Sequence, residues 1–182
     1  MKKIILLSTF LAVTFLVKAQ SDTYKAFKID IGLGYAIPTA GNSGDTKGGG
    51  TVTIQPHYRV SDNFALGLRF EAAGLGYIDT ALTTNDSKVE LLLSFCASAE
   101  YYLAKGAFRP FIGVGGGVFT QSATQNNSGT EQLVAGTTRA GFFPEIGLEM
   151  GHFRVSADYN VAGGNNDYVA FKIGFFLGGG KK

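Results

Sequence analysis

Ionisable side chains recur on one side of a two-residue alternation that runs through most of the chain. Lys28, Arg59, Arg69, Arg109, Arg139, Arg154 and Lys172 stand against Asp30, Glu71, Glu90, Glu100, Glu145, Glu149 and Asp158, seven of each sign. Equal numbers of cations and anions suit mutual neutralisation in a confined space. A buried charge is costly unless it is paired and hydrogen-bonded, and removing one partner of a buried pair costs about 3–5 kcal/mol. The predicted role of these residues is therefore structural, a charge network that fills and rigidifies an interior. Arg154 is expected near Glu145 or Glu149, and Lys28 within reach of the last or the second alternating stretch.

Other chemistry is sparse. Nucleophilic catalysis requires a base beside a nucleophile, and the chain has only two histidines, His57 and His152. Neither has a serine and an acid at a recognisable spacing, so no catalytic residue is assigned. One cysteine and two distant histidines give no Cys/His metal cluster. Asp45, Asp79, Asp86, Glu131 and Asp167 lie in polar loops without the regular ligand spacing of a calcium loop. Gly113 to Gly117 lacks the helix that a phosphate-cradling loop needs, and tight strand packing explains it better. No cofactor is implied. Cys96 stands alone, so no intramolecular disulfide can form, and it reads as a small buried residue. A net charge of +2, with no basic cluster beyond Lys181-Lys182, gives nucleic acid no support as a partner.

The elements that would position these charges are eight stretches of alternating polarity. The first sets Phe27, Ile29, Ile31, Leu33, Tyr35 and Ile37 against Lys28, Asp30, Gly32, Gly34 and Ala36. Successive strand side chains point to opposite faces, which gives one apolar face and one small-or-charged face. Similar stretches cover about 51–60, 64–73, 89–103, 108–120, 139–150, 153–161 and 168–177. The third slips near Gly74 and Gly76, which predicts a bulge or a bend. The fifth is blurred by its glycines. The connections alternate: polar loops at 38–49, 78–88, 121–137 and 163–167, and tight turns at Ser61-Asp62-Asn63, Ala104–Ala107 and Gly151-His152.

Two barrels could carry this pattern, a soluble ligand-binding one with its apolar face inward and a membrane one with it outward. A chain with 26 Gly and 15 Phe but only 16% charged residues suits a lipid-facing sheet with a crowded interior. Tyr35, Tyr58, Tyr77, Tyr101, Tyr159 and Tyr168 fall towards stretch ends, as an interfacial girdle requires. A tilted strand of roughly ten residues crosses an apolar band of about 25 Å. Hydrocarbon supplies no hydrogen-bond partner, so the last strand must close on the first. The predicted fold is all-β: an eight-stranded antiparallel up-and-down transmembrane β-barrel, its N- and C-termini periplasmic and its longer loops outward. Leu92, Tyr102, Phe111, Phe143 and Phe176 would obstruct a lumen that only side chains can fill.

Residues 1–19 form a signal peptide: Lys2 and Lys3, an apolar run from Ile4 to Val17, and Val17-Lys18-Ala19 at the cleavage positions. Residues 20–182 are then the outer-membrane β-barrel domain. Arg109-Pro110-Phe111-Ile112-Gly113-Val114-Gly115 and Lys172-x-Gly174-x-x-Leu177 make the chain resemble the small OmpA/OmpX-like outer-membrane β-barrel proteins. One departure is the continuation as Gly178-Gly179-Gly180-Lys181-Lys182. The resemblance implies the barrel assembly machinery as a partner during insertion and an architectural rather than a chemical kinship. The function expected is that of a non-enzymatic, integral protein of the bacterial outer membrane. It would contact outer-membrane lipid and lipopolysaccharide and meet surface ligands through its loops. A narrow porin-like channel, a lipid-modifying enzyme using His57 and the soluble barrel are the alternatives.

Overall fold

The computed structural model describes residues 23–39, 46–78, 87–127, 130–163 and 166–182. The expected signal peptide, residues 1–19, lies outside the described residues. Eight long strands follow one another: β1 (Phe27–Pro38), β2 (Gly49–Arg59), β3 (Phe64–Ile78), β4 (Ser87–Tyr102), β5 (Phe108–Asn127), β6 (Thr130–Met150), β7 (Phe153–Asn160) and β8 (Tyr168–Gly178). A two-residue piece, Thr46–Lys47, pairs with the end of β3. Each strand pairs antiparallel with its sequence neighbours. β8 returns to β1 in a register running from Lys28↔Gly178 to Pro38↔Tyr168. The sheet thus closes into an eight-stranded antiparallel barrel, and closure leaves no open edge in the wall.

The alternation read from the sequence decides the two faces. On β8, Tyr168, Ala170, Lys172 and Phe176 are buried, while Phe171, Ile173, Phe175 and Leu177 are exposed. Ile173 is 69% exposed and Phe153 71%, whereas Arg59 and Arg69 are fully buried. That polarity is the inverse of a water-soluble domain, where large aliphatic side chains are inside and paired or unpaired charges outside. It is the arrangement that a hydrocarbon solvent selects.

Glycine makes the crowded interior possible. Phe111 stands across from Gly147, and Gly115 across from Phe143. A Cβ on Gly147 would come within 2.4 Å of the Phe111 ring, and one on Gly115 within 2.4 Å of the Phe143 ring. The glycines that blur the sequence pattern of β5 are thus the seats on which inward phenylalanines lie. Phe111, Phe119 and Phe143 are buried, while Ile112, Val114 and Val118 of the same strand pair face outward.

One local expectation is met in part and one is corrected. Near Gly74 and Gly76 the irregularity is one-sided: the β3–β4 register continues without a shift to Ile78↔Ser87, but on the other side the pairing moves by one residue between Thr51↔Ala73 and Lys47↔Gly76, a bulge opposite Gly74 and Leu75. The pairing with β4 carries β3 past its small residues. A second irregularity lies between Thr120 and Ser122, where β5 and β6 change register. Second, residues 121–127 and 130–137 are strand, not loop. They extend β5 and β6 as a ladder reaching Asn127↔Thr130. Their Thr and Val residues favour strand geometry despite the polar, loop-like composition.

This hairpin outgrows the wall. β6 pairs with β7 only as far as Glu145↔Asp158, with one further bridge at Phe142↔Val161. Beyond it, among the described residues, β6 has β5 as its single strand partner. β4 accompanies β5 as far as Glu90↔Ala123.

The ion-paired lumen as candidate functional site

Twelve of the fourteen charges picked from the sequence meet inside the barrel. Lys28, Arg59, Arg69, Arg109, Arg154 and Lys172 face Asp30, Glu71, Glu100, Glu145, Glu149 and Asp158, and all are 5% exposed or less. Strand alternation points them inward, and the small barrel radius brings opposite walls within side-chain reach.

Towards the short-turn end, Glu149 on β6 gathers four cations. Lys28 bonds to it directly, Arg59 lies at 3.2 Å, Arg154 at 3.3 Å and Arg109 at 3.6 Å. Arg154 also reaches Glu100 at 2.6 Å and Glu145 at 3.0 Å. The Tyr102 hydroxyl sits between Glu100 at 2.7 Å and Glu149 at 2.8 Å, and the Lys28 ammonium donates to it at 2.7 Å. Lys28 was expected to reach the second or the last strand. It meets the last strand at Phe176, whose ring centroid lies 5.2 Å from its ammonium, and it also crosses the lumen to β6 and to Tyr102 on β4.

A second cluster lies nearer the other end. Lys172 bonds to Asp158 and, at 2.9 Å, to Glu71. Arg69 lies 3.2 Å from Asp158 and 3.9 Å from Glu71. The Tyr168 hydroxyl donates to Glu71 at 2.6 Å, and Thr53 donates to the same carboxylate at 2.9 Å. The Arg69 guanidinium lies 3.3 Å above the Phe143 ring, and Arg154 lies 4.0 Å from that of Phe111. Cations stacked on aromatic faces gain from the ring quadrupole, the more so when desolvated.

Two charges stand apart. Arg139 shares the inward parity but is exposed, and among the described residues no ion pair reaches it. It lies where β6 has passed the last β7 bridge, so there is no lumen left for it to face. The Glu90 side chain lies outside the described residues. Among the loop acids, Asp167 accepts the Gly163 N–H at 3.0 Å within its own loop. Asp45, Asp79 and Asp86 and the side chain of Glu131 lie outside the described residues.

The polar residues that complete the network escaped the sequence reading. Tyr168, placed there in an interfacial girdle, is fully buried. Its parity with Lys172 was the available signal, since residues four apart on a strand share a face. Tyr35, Tyr101 and Tyr159 are exposed as a girdle requires; the Tyr77 side chain lies outside the described residues. His57 is the other surprise. Its Nδ1 lies 2.8 Å from Asp30, and its Nε2 lies 3.5 Å from the Ser98 hydroxyl and 3.3 Å from Glu100. Acid, imidazole and serine thus come together from β1, β2 and β4, which no linear spacing announces. All four side chains are buried, the Ser98 contact is at the long limit of a hydrogen bond, and Glu100 shares the nitrogen that would take the serine proton. His152 is exposed in its turn and stacks on Phe176 with ring centroids 5.3 Å apart. Cys96 is a buried free thiol.

The chain is thus a closed antiparallel barrel with apolar side chains outside and ion-paired charges inside. The family profile of the outer membrane protein beta-barrel domain matches residues 7–175. The chain belongs to that family. Like the other members of the outer membrane protein beta-barrel domain family, it is a protein of the bacterial outer membrane. Solved structures agree on the fold. Neisserial surface protein A (NspA) superposes with a TM-score of 0.60 at 17% identity, over 85% of this chain and 98% of that one. OprG from Pseudomonas aeruginosa gives 0.58 at 14%, over 87% and 99%. The N-terminal β-barrel domain of OprF from Pseudomonas aeruginosa gives 0.50 at 16%, over 86% and 100%. No curated protein matches the sequence.

Proposed function

We propose that this chain is exported by the signal peptide at residues 1–19 and works as a non-enzymatic outer-membrane protein, a self-sealed barrel that presents a β-hairpin for surface interaction. Residues 20–182 are the barrel domain, inserted by the barrel assembly machinery and held in outer-membrane lipid and lipopolysaccharide. The short turns and both described chain ends then face the periplasm, and the β5–β6 hairpin faces outward.

The observation that carries this reading is the contrast between the two parts of β6. Inside the wall, its carboxylates Glu145 and Glu149 are ion-paired with buried cations. Beyond Phe142, the same strand continues to Thr130 without a β7 partner, and Gly136 to Ala140 are exposed. A strand edge of this kind offers backbone N–H and C=O groups to an extended segment of another chain.

The test is a binding screen of the intact barrel against host proteins, lipopolysaccharide and glycans, alongside a barrel in which Gln121–Thr137 is replaced by a two-residue turn. The expected result is a ligand whose affinity falls by roughly tenfold or more, about 1.4 kcal/mol, in the shortened barrel. Equal binding by both barrels across the screen would overturn the assignment to the hairpin.

A further inference from the structure

Tyr24 precedes β1 and belongs to none of the strands, yet it is only 3% exposed. Its ring lies between two guanidinium groups, 4.1 Å from Arg109 and 4.9 Å from Arg59. Its hydroxyl oxygen accepts the Gly106 N–H at 3.0 Å. The segment that follows β8 holds it there. Gly178 and Gly179 have φ of 73° and 62°, a region that side-chain-bearing residues avoid, and they swing the chain away from the wall. Lys25 N–H then donates to the Gly180 carbonyl at 2.9 Å, and Lys182 N–H to that of Thr23 at 3.0 Å. Tyr24 and Lys181 stand opposite each other between these bonds.

This short antiparallel ladder is fastened to the barrel at several points. Arg59 donates to the Gly179 carbonyl at 2.7 Å, and Gly179 N–H donates to that of Phe27 at 2.9 Å. The Thr23 N–H and hydroxyl donate to the Asp62 carboxylate at 3.2 and 2.9 Å. Beside Tyr24 is a space of about 280 Å³, bordered by Arg109, Glu149, His152 and Phe176.

We propose that Thr23–Ala26 and Gly179–Lys182 form a strap that closes the short-turn mouth of the barrel, with the Tyr24 ring as its stopper over Arg59 and Arg109. The strap covers the Glu149 cluster, the densest group of charges in the lumen, on the side where it is nearest to water. It also gives a reason for the glycine-rich continuation past the last strand. A side chain at position 179 would have to adopt a left-handed backbone, and its Cβ would come within 2.6 Å of the Lys28 Cβ. Opening the strap breaks the Gly179–Phe27 and Arg59–Ala26 backbone bonds but leaves the β8–β1 register from Lys28↔Gly178 to Pro38↔Tyr168 in place.

The chain has no tryptophan, so Tyr24→Trp installs a single reporter in the stopper. Its emission and its quenching by acrylamide are measured in the full chain and after deletion of Gly179–Lys182, in the same detergent. The proposal expects a shielded indole in the full chain and a red-shifted, freely quenched one after deletion. A second measurement uses Ala65→Cys with Cys96→Ser. Ala65 is fully buried beside Tyr102 and Phe111, and maleimide labelling is expected to accelerate roughly tenfold or more with Tyr24→Ala or Gly179→Val. Variants are compared only where circular dichroism shows an intact barrel. Equal quenching with and without the tail, or equal labelling rates in folded variants, would overturn the strap.

Discussion

Gly147 lies directly across the β5–β6 ladder from Phe111, and a Cβ placed on it would sit 2.4 Å from the Phe111 ring. Gly147→Ala is therefore an overpacking change at a site without slack, with an expected loss of about 1–3 kcal/mol. Gly32→Ala is the matched control, since its nearest contact would be an ordinary 3.8 Å. Urea unfolding in lipid vesicles should lower the midpoint for Gly147→Ala and leave Gly32→Ala near the parent. Equal midpoints for the two variants would mean that the glycines are not steric seats for the aromatic rings.

The same rings bear on conductance. Tyr102, Phe111, Phe119 and Phe143 are each 2% exposed or less, and the Arg69 and Arg154 guanidinium groups lie over the rings of Phe143 and Phe111. The six buried cations and six buried anions leave no net charge to select an ion. In planar bilayers the protein is expected to show no current steps above baseline. Steps that scale with salt concentration would refute the sealed lumen.

The histidine cluster makes a further separable claim. If Asp30, His57 and Ser98 served acyl transfer, His57→Gln would alter the lipid A or phospholipid profile of expressing cells. The expected mass-spectrometric profile is unchanged, because Glu100 shares the His57 Nε2 with Ser98 and every member is buried. The variant is expected to be less stable, since Asp30 loses a 2.8 Å partner. A changed lipid profile at equal protein level would restore the enzymatic reading.

How much of this was legible in the sequence depends on the range of the interaction. Period-two alternation is local, so the strands, their faces and the inward charges such as Arg59 and Glu149 could be read directly. The pairing of Arg154 with Glu145 and Glu149 was also readable, because it joins strands connected by a two-residue turn. Contacts across the lumen were not. Lys28 with Glu149 joins residues 121 positions apart, and Asp30, His57 and Ser98 come from three strands. Arg139 shows the opposite limit: its parity is right, but parity does not say where the wall ends. The hairpin at 121–137 was hidden by its Asn, Gln and Ser content. Its polar residues carry no apolar alternation to mark the extended backbone.

Glu149 supplies the sharpest energetic contrast. Its carboxylate is 1% exposed and is shared by Lys28, Arg59, Arg109 and Arg154. Glu149→Gln leaves those cations under-neutralised in a dry interior, and the expected cost is about 3–5 kcal/mol. Lys105 and Asp62 form a pair of similar length, 3.2 Å, but the Lys105 side chain is 57% exposed. Lys105→Gln should therefore cost no more than about 1 kcal/mol. Unfolding free energies of the two variants in one lipid system check the contrast. The difference should persist at high salt, because screening weakens exposed pairs far more than buried ones. Comparable losses for both substitutions would show that the lumen is wet and that its ion pairs are screened like those at a surface.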